Sequence, residues 1–326
     1  MTIVLAIGLI IAVGVGFLIF YLVKNGIISG KTAASASYLD NNKVLQAIKA
    51  GKIAVEKDPK NAEAHYYLGK ALLADKREEQ ALREFKSVSR LGIEGKNIPE
   101  TEFRKTIARL YQKYNESEEA LKEYLLLIQK QPENAEFYFF AGMIFSSRNR
   151  SDLAKSHINK AISLNPKEPS YQTELGIILY NEKNLKEADL VLDAVLKLDP
   201  NNVKALFFRG KTYKDAKNYA GALPFLESAS RDQEYKVRAL VELGSCYMSL
   251  RMIDKAIAEL DRAVKIIEEE GGQEGLYARY FLGMCFEKKQ EFPKAVEQYE
   301  KIYAKKKNFR DVGERLVQYQ EHRKTR

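Results

Sequence analysis

The chain repeats itself with a period of 34 residues over most of its length. Proline recurs at this spacing at Pro132, Pro166 and Pro200. Alanine recurs in the same way, at Ala120, Ala154, Ala188, Ala222 and Ala256. A fixed period of this length is typical of stacked helical hairpins, because each hairpin can bury its apolar face only against its neighbours. Lys, Glu, Ala and Leu are abundant and favour helix, so we predict an all-α fold.

Seven units can be aligned, beginning at residues 62, 101, 135, 169, 203, 237 and 276, and we number the residues within each unit as repeat positions. Position 8 is glycine in six units and alanine in the second, and position 20 is alanine in all seven. Position 24 always carries a large side chain. We therefore expect positions 8 and 20 to mark the closest approach of the two helices in a hairpin, where only a small side chain fits.

This order of Leu-Gly, aromatic, alanine, aromatic, alanine and proline resembles the tetratricopeptide repeat (TPR) family over residues 62–309. The resemblance implies a right-handed α-solenoid of helical hairpins. Position 4, a tryptophan in the family pattern, is His65, Arg104 and Gln172 in three units, which affects local packing more than the fold.

Both ends of the array carry segments that can cover its exposed core. Ala47 and Pro59 match the second half of a repeat, so we predict a capping half-repeat at residues 41–61. After the last repeat, apolar residues at helical spacing precede the polar sequence EHRKTR, which predicts a capping helix at residues 310–326.

The amino-terminal stretch carries no charged residue from position 3 to position 23. As a helix it would rise about 31 Å, enough to cross the hydrocarbon core of a bilayer. The apolar run is long for a signal peptide, and Lys24 and Lys31 follow it before any cleavage site. We therefore predict a retained transmembrane helix at residues 3–23 and a linker at residues 24–40.

The charges beside this span favour one orientation. Lys24, Lys31 and Lys43 follow the span, and no lysine or arginine precedes it, so the positive-inside rule places the repeats in the cytoplasm at the inner membrane. The opposite, periplasmic side stays an alternative. Small residues at Gly8, Ala12 and Gly16 could pack two spans together as a homo-oligomer, although glycine is common in membrane spans anyway.

The side chains that usually carry catalysis or bind metals are sparse. There are three histidines and two cysteines, none at metal-ligand spacing, and no phosphate loop or nucleophile motif. Cys246 and Cys285 occupy equivalent positions in different repeats, so we expect buried, reduced thiols. The net charge of +9 is spread along the chain, which favours solubility over nucleic-acid binding. We expect no enzyme activity, no cofactor and no metal.

The TPR resemblance implies that the first helices line a concave groove through repeat positions 2, 5, 6, 9 and 12. These positions place an apolar patch beside basic residues and form the predicted partner-binding groove: Phe139, Met143, Ile177, Tyr180, Lys204, Phe207, Lys211, Lys214 and Arg238. The set of groove residues that binds terminal carboxylates in some TPR proteins is absent. An equally open interpretation is that the aromatic residues pack against the next repeat and the lysines are merely solvated.

The sequence thus predicts a membrane-tethered TPR scaffold or adaptor that binds a protein or peptide partner and recruits or assembles it at the membrane. Two alternatives retain the TPR array but differ in its location or its role. One is an assembly factor of the envelope or the flagellar machine that faces the periplasm, and the other is a regulatory adaptor of a membrane protease.

Overall fold

The computed structural model describes residues 30, 32–39, 43–94, 96–270 and 275–324. Residues 32–39 are helical, and no strand occurs in these ranges. Sixteen further helices follow: α1 (Val44–Lys57), α2 (Ala62–Ala74), α3 (Glu78–Leu91), α4 (Glu100–Lys113), α5 (Ser117–Lys130), α6 (Ala135–Ser147), α7 (Ser151–Leu164), α8 (Pro169–Asn181), α9 (Leu185–Leu198), α10 (Val203–Asp215), α11 (Tyr219–Ala229), α12 (Lys236–Ser249), α13 (Ile253–Glu270), α14 (Gly275–Lys288), α15 (Phe292–Lys305) and α16 (Val312–Lys324). The all-α fold is as predicted.

The chain divides into two compact units, Met1–Glu133 and Asn134–Arg326, which we call unit 1 and unit 2. In unit 1, α1 packs on the hairpin α2–α3, and the hairpin α4–α5 follows. Unit 2 contains the five hairpins α6–α7, α8–α9, α10–α11, α12–α13 and α14–α15, and α16 packs on α15. The handedness of the array and the division into linker, cap and repeats stay predictions.

Within unit 2, the first helices of successive hairpins lie side by side. Helix α8 contacts both α6 and α10, and α12 contacts both α10 and α14. Among the described residues of unit 2, the second helices make no comparable contacts with one another. The first helices therefore pack more closely on one another than the second helices do, and we call the side that they form the first-helix face.

Repeat position 8 is glycine because the large side chain at position 24 of the same hairpin lies directly against it. A Cβ atom at Gly244 would lie 2.4 Å from Cγ of Leu260, and one at Gly176 would lie 2.7 Å from Cδ2 of Leu192. The other glycines at this position meet the same neighbour at 2.5 to 2.8 Å. No carbon atom can approach so closely, so the missing side chain sets the distance between the two helices.

A residue with positive φ joins the two helices of every repeat, always at position 15. It is never glycine, and the residues are Lys76, Asn115, Asn149, Lys183, Lys217, Arg251 and Gln290, with φ between 57° and 64°. The left-handed conformation ends the first helix abruptly and lets the chain turn back. This conformation is costly for a side chain with a Cβ, so packing of the hairpin must hold it in place.

Position 4, where the family pattern has tryptophan, carries buried polar side chains in several repeats. Nδ1 of His65 lies 2.6 Å from Oε2 of Glu84, and its Nε2 lies 3.1 Å from the carbonyl oxygen of Pro59. Nη1 of Arg104 donates to Glu123 at 2.7 Å across the same two positions of the second repeat. An ion pair thus replaces an apolar contact, and each buried polar group has a partner.

The two cysteines are buried and free, as predicted. Burial raises the pKa of the Cys246 thiol to about 12 and that of Cys285 to about 11. Both are therefore protonated at neutral pH and are poor nucleophiles.

No helix in the described part of the chain is long and apolar enough to cross a membrane. The predicted transmembrane helix at residues 3–23, with Gly8, Ala12 and Gly16, lies outside the described residues.

We predict that Gly244→Ala destabilises the protein. The new methyl group would overlap Leu260, which should cost about 1–3 kcal/mol and exceed the helix-propensity gain of at most about 1 kcal/mol. Gly313→Ala is the control, because its Cβ would lie 3.6 Å from the Tyr303 ring, an ordinary contact. Urea unfolding should show a lower free energy of unfolding for the first variant only. An equal change in both would contradict close helix approach as the cause.

We also predict a pH-dependent contribution of His65 to stability. The hydrogen bond that His65 donates to Glu84 raises the pKa of His65 above its usual 6.5 and outweighs burial and the nearby charge of Arg90. This contribution is complete below pH 6.5, the pKa of the unfolded chain, and is lost as the pH rises through the higher folded-state pKa. Urea unfolding across this range should show a smaller decline for His65→Gln than for the native chain. His157→Gln is the control and should behave like the native chain, because Nδ1 of the partly buried His157 lies 2.9 Å from the carbonyl oxygen of Leu153, and no carboxylate of the described chain lies within ion-pair distance of it.

Candidate partner-binding surface

The nine residues of the predicted groove all lie on the first helices of unit 2. Two are on α6, two on α8, four on α10 and one on α12: Phe139, Met143, Ile177, Tyr180, Lys204, Phe207, Lys211, Lys214 and Arg238. The structure shows what each side chain contacts. Their role in binding a partner stays a prediction.

The aromatic residues at repeat position 5 join successive repeats. Phe207 is 1% exposed, and its ring lies 5.2 Å from the ring of Tyr235, which is at the boundary with the next repeat. Phe139 is half-buried, and its ring lies 4.8 Å from that of Tyr171 in the next repeat. These contacts favour the interpretation that the rings pack between repeats. Phe207 is buried below the surface, so its ring cannot contact a partner directly.

The apolar residues on α8 are also largely buried. Ile177 and Tyr180 are each 6% exposed. The Tyr180 hydroxyl donates to Oδ2 of Asp215 on α10 at 2.8 Å, and its ring packs edge-on against Phe208. Burial, followed by the hydrogen bond to Asp215, raises the pKa of Tyr180 above its usual range. Tyr180 therefore links two first helices and offers little area to a partner.

The three lysines of the predicted groove each have a carboxylate nearby. Nζ of Lys204 donates to Oε2 of Glu174 at 2.8 Å. Lys214 forms an ion pair with Glu242, and Nζ of Lys211 lies 3.9 Å from the same carboxylate. Burial lowers the pKa of Lys211, whereas Glu242 outweighs burial at Lys214 and raises its pKa. These charges are satisfied within the protein and leave no free basic patch on α10.

Lys211 also lies among aromatic rings. Its Nζ is 5.1 Å from the ring centroid of Tyr180, 5.6 Å from that of Phe207 and 5.7 Å from that of Phe208. An ammonium group so placed is held by the rings as well as by Glu242. Lys211 is thus part of the framework between repeats.

Arg238 differs from the lysines. Its guanidinium carbon lies 4.8 Å from the ring centroid of Phe207 and 5.2 Å from that of Tyr235. No carboxylate of the described chain lies within ion-pair distance of it. Of the four predicted cations, Arg238 alone keeps an unpaired charge on this face.

The sequence analysis did not identify the acidic partners or the side chains that stay partly exposed. Glu174 and Glu242 both occupy repeat position 6, and a lysine stands at position 2, 9 or 12 of a neighbouring repeat. This spacing could have indicated the lysine–glutamate pairs from the sequence. In unit 2, the apolar side chains at positions 2, 6 and 9 that stay partly exposed are Phe140, Met143, Phe208, Tyr277, Phe281 and Met284.

Among the described residues, no group of histidine, cysteine, aspartate or glutamate side chains has the arrangement of a metal site. The surface therefore offers apolar side chains, paired charges and an unpaired guanidinium. Such a surface can bind another chain.

Comparison with known proteins places these repeats in a family. Three tetratricopeptide repeat models match the chain, one at residues 32–90 and 173–235, one at 213–280 and one at 135–168. Together these matches cover more than half of the chain, and none of the matching models describes an enzyme.

Individual relatives agree with this assignment. Anaphase-promoting complex subunit 3 of Schizosaccharomyces pombe is 25% identical over 178 residues, which are 55% of this chain and 27% of that protein. The chain thus spans about a quarter of that relative's length.

Two solved structures show the same fold. A tetratricopeptide repeat protein from Parabacteroides merdae superposes with a TM-score of 0.58 at 18% identity, covering 80% of this chain and 99% of that one. The APC/C hetero-tetramer Cut9–Hcn1 superposes with a TM-score of 0.61 at 15% identity, covering 87% and 54% of the two chains. Repeat spacing, hairpin packing and family models agree, and the chain belongs to the tetratricopeptide repeat family.

Proposed function

We propose that this chain is a membrane-tethered, non-enzymatic TPR scaffold that binds a protein partner on the first-helix face of unit 2. The partner would be recruited to, or assembled at, the membrane. The observation that carries the proposal is the set of apolar side chains on this face that neighbouring repeats leave partly exposed, above all Tyr277, which is 45% exposed.

The framework beneath these side chains is rigid, which favours binding. Buried rings and ion pairs join each first helix to the next, as in the contact between Tyr180 and Asp215. A surface that is already in its bound shape loses little entropy when a partner arrives. The names of the S. pombe relative and of the Cut9–Hcn1 complex refer to a multi-subunit assembly, which is consistent with a scaffold role here.

The membrane tether is supported by the sequence. Residues 3–23 are free of charge, and lysines follow them. The same residues, through Gly8, Ala12 and Gly16, are the proposed contact of a homo-oligomer. The positive-inside rule favours a cytoplasmic location of the repeats over the periplasmic alternative. A labelling experiment on an introduced cysteine distinguishes the two locations.

We predict that Met284→Glu reduces capture of the partner by about thirtyfold, the loss expected from placing a charge in an apolar contact worth about 2 kcal/mol. The full chain would be crosslinked in native membranes and the captured protein identified and quantified. Leu198→Glu is the matched control, because Leu198 is 61% exposed on the second helix α9. Equal loss in both variants, or none in either, would contradict binding on the first-helix face.

We predict that a cysteine introduced at Lys217 is protected from a membrane-impermeant maleimide in intact cells and labelled after the membrane is opened. Lys217 is exposed, and the two native cysteines are buried, so their background labelling should be low. Labelling in cells whose outer envelope alone has been permeabilised would instead place the repeats on the periplasmic side.

A further inference from the structure

Arg238 belongs to an arrangement that occurs twice in unit 2. At the second occurrence, the guanidinium carbon of Arg310 lies 5.2 Å from the ring centroid of Tyr277 and 5.1 Å from that of Tyr280. In both places an arginine just after the end of one repeat lies over the position-5 ring of that repeat, which is Phe207 or Tyr280. That ring also packs on a boundary aromatic residue, Tyr235 or Phe309.

These two arginines lack the carboxylates that other stacked arginines have. In the described chain, Arg209 and Arg315 also lie over aromatic rings, but they bind Asp189 and Glu287 respectively. Neither Arg238 nor Arg310 has a carboxylate within ion-pair distance in the part of the chain that the structure describes.

Two acidic groups close to these arginines in the sequence have other partners. Asp311, beside Arg310, accepts hydrogen bonds from the Tyr280 hydroxyl at 2.8 Å and from Nε of Arg315 at 2.9 Å. Glu242, on the same helix as Arg238, is bound to Lys214. Folding has therefore left these two guanidinium charges unneutralised.

A stacked guanidinium is well prepared to bind an anion. The rings cover one face of its plane and restrict the side chain, so little conformational entropy is lost on binding. No described carboxylate accepts from the N–H groups of Arg238 or Arg310, and a guanidinium can form two parallel hydrogen bonds with an incoming carboxylate.

We propose that Arg238 and Arg310 bind two acidic side chains of one extended segment in the partner protein. This inference rests on the proposed function, because it specifies the partner of the same face. The two sites lie two hairpins apart, or about 16–20 Å if neighbouring first helices are about 8–10 Å apart. An extended chain rises about 3.3 Å per residue, so the two acidic residues would be five or six positions apart.

The residues between the two arginines define the rest of the partner segment. Tyr277 is 45% exposed, and Phe281 and Met284 are partly exposed on α14. The segment should therefore carry apolar side chains between its acidic ends. A nucleic acid fits less well, because the lysines of this face are paired and no continuous basic track connects the two arginines.

The test uses the full chain in detergent and fluorescein-labelled peptides in an anisotropy assay. Each peptide has two glutamates separated by one to eight neutral residues that include leucine, and each has a twin with glutamine in place of glutamate. We expect the best binding when the glutamates are five or six positions apart.

Arg238→Gln and Arg310→Gln should each weaken that binding by about tenfold, and the double variant by about a hundredfold, because distant sites act additively. Arg238→Lys, which keeps the charge but loses the planar fork, should fall between native and Arg238→Gln.

Lys217→Gln is the control, because it removes one exposed positive charge from a turn between helices. It should bind like the native chain, and circular dichroism should show the same helicity for all variants.

The inference is overturned if no glutamate peptide binds, if the glutamine peptides bind equally well, or if the arginine variants bind normally. Preferential binding of a single-stranded oligonucleotide, or self-association that the arginine variants abolish, would overturn it in favour of a nucleic acid or a second copy. Partner capture that depends on Met284 while the peptide assay fails would leave the proposed function intact.

Discussion

The contact between repeat positions 8 and 24 determines the helix spacing in the six hairpins that have glycine at position 8. Because position 8 lacks a side chain, the bulky residue at position 24 lies against the backbone of the first helix, as Leu260 does against Gly244. The two helices of a hairpin therefore sit close together, and their outer faces are free to contact neighbouring hairpins. Every inter-repeat contact on the first-helix face depends on this spacing, which is repeated with little variation from one hairpin to the next.

The fold was largely predictable because it depends on residues that recur. The period, the glycine at position 8 and the alanine at position 20 indicated the hairpins, and the helices begin at or within one residue of the predicted repeat starts. The predicted cause of the small residue at position 8 was incomplete. The side chain at position 24 is the nearest neighbour of each glycine at position 8. The amino-terminal span was predicted from composition alone and lies outside the described residues.

The binding surface was harder to predict because burial depends on contacts between repeats. Periodicity puts Phe207 and Lys211 on one helix face, but it does not show that Tyr235 covers the first or that Glu242 lies near the second. A lysine counted as a free charge in the sequence can be neutralised by a residue about thirty positions away. Arg238 stays unpaired because its neighbours offer rings instead of carboxylates. Pairing across repeats therefore decides which charges remain for a partner.

Aromatic residues occupy position 5 in alternate repeats. Tyr66, Phe139, Phe207 and Tyr280 belong to the first, third, fifth and seventh repeats. Tyr66 and Phe139 stack on Phe103 and Tyr171 in the repeat that follows, whereas Phe207 and Tyr280 stack on Tyr235 and Phe309 at the end of their own repeat. The second, fourth and sixth repeats have Lys105, Thr173 and Val241 there. The boundary between units 1 and 2 falls between the second and third repeats. A chain shortened between the first and second repeats, or between the third and fourth, would separate Tyr66 from Phe103 or Phe139 from Tyr171 and leave an aromatic ring bare in water. A cut between the fifth and sixth repeats would keep the stack of Phe207 on Tyr235.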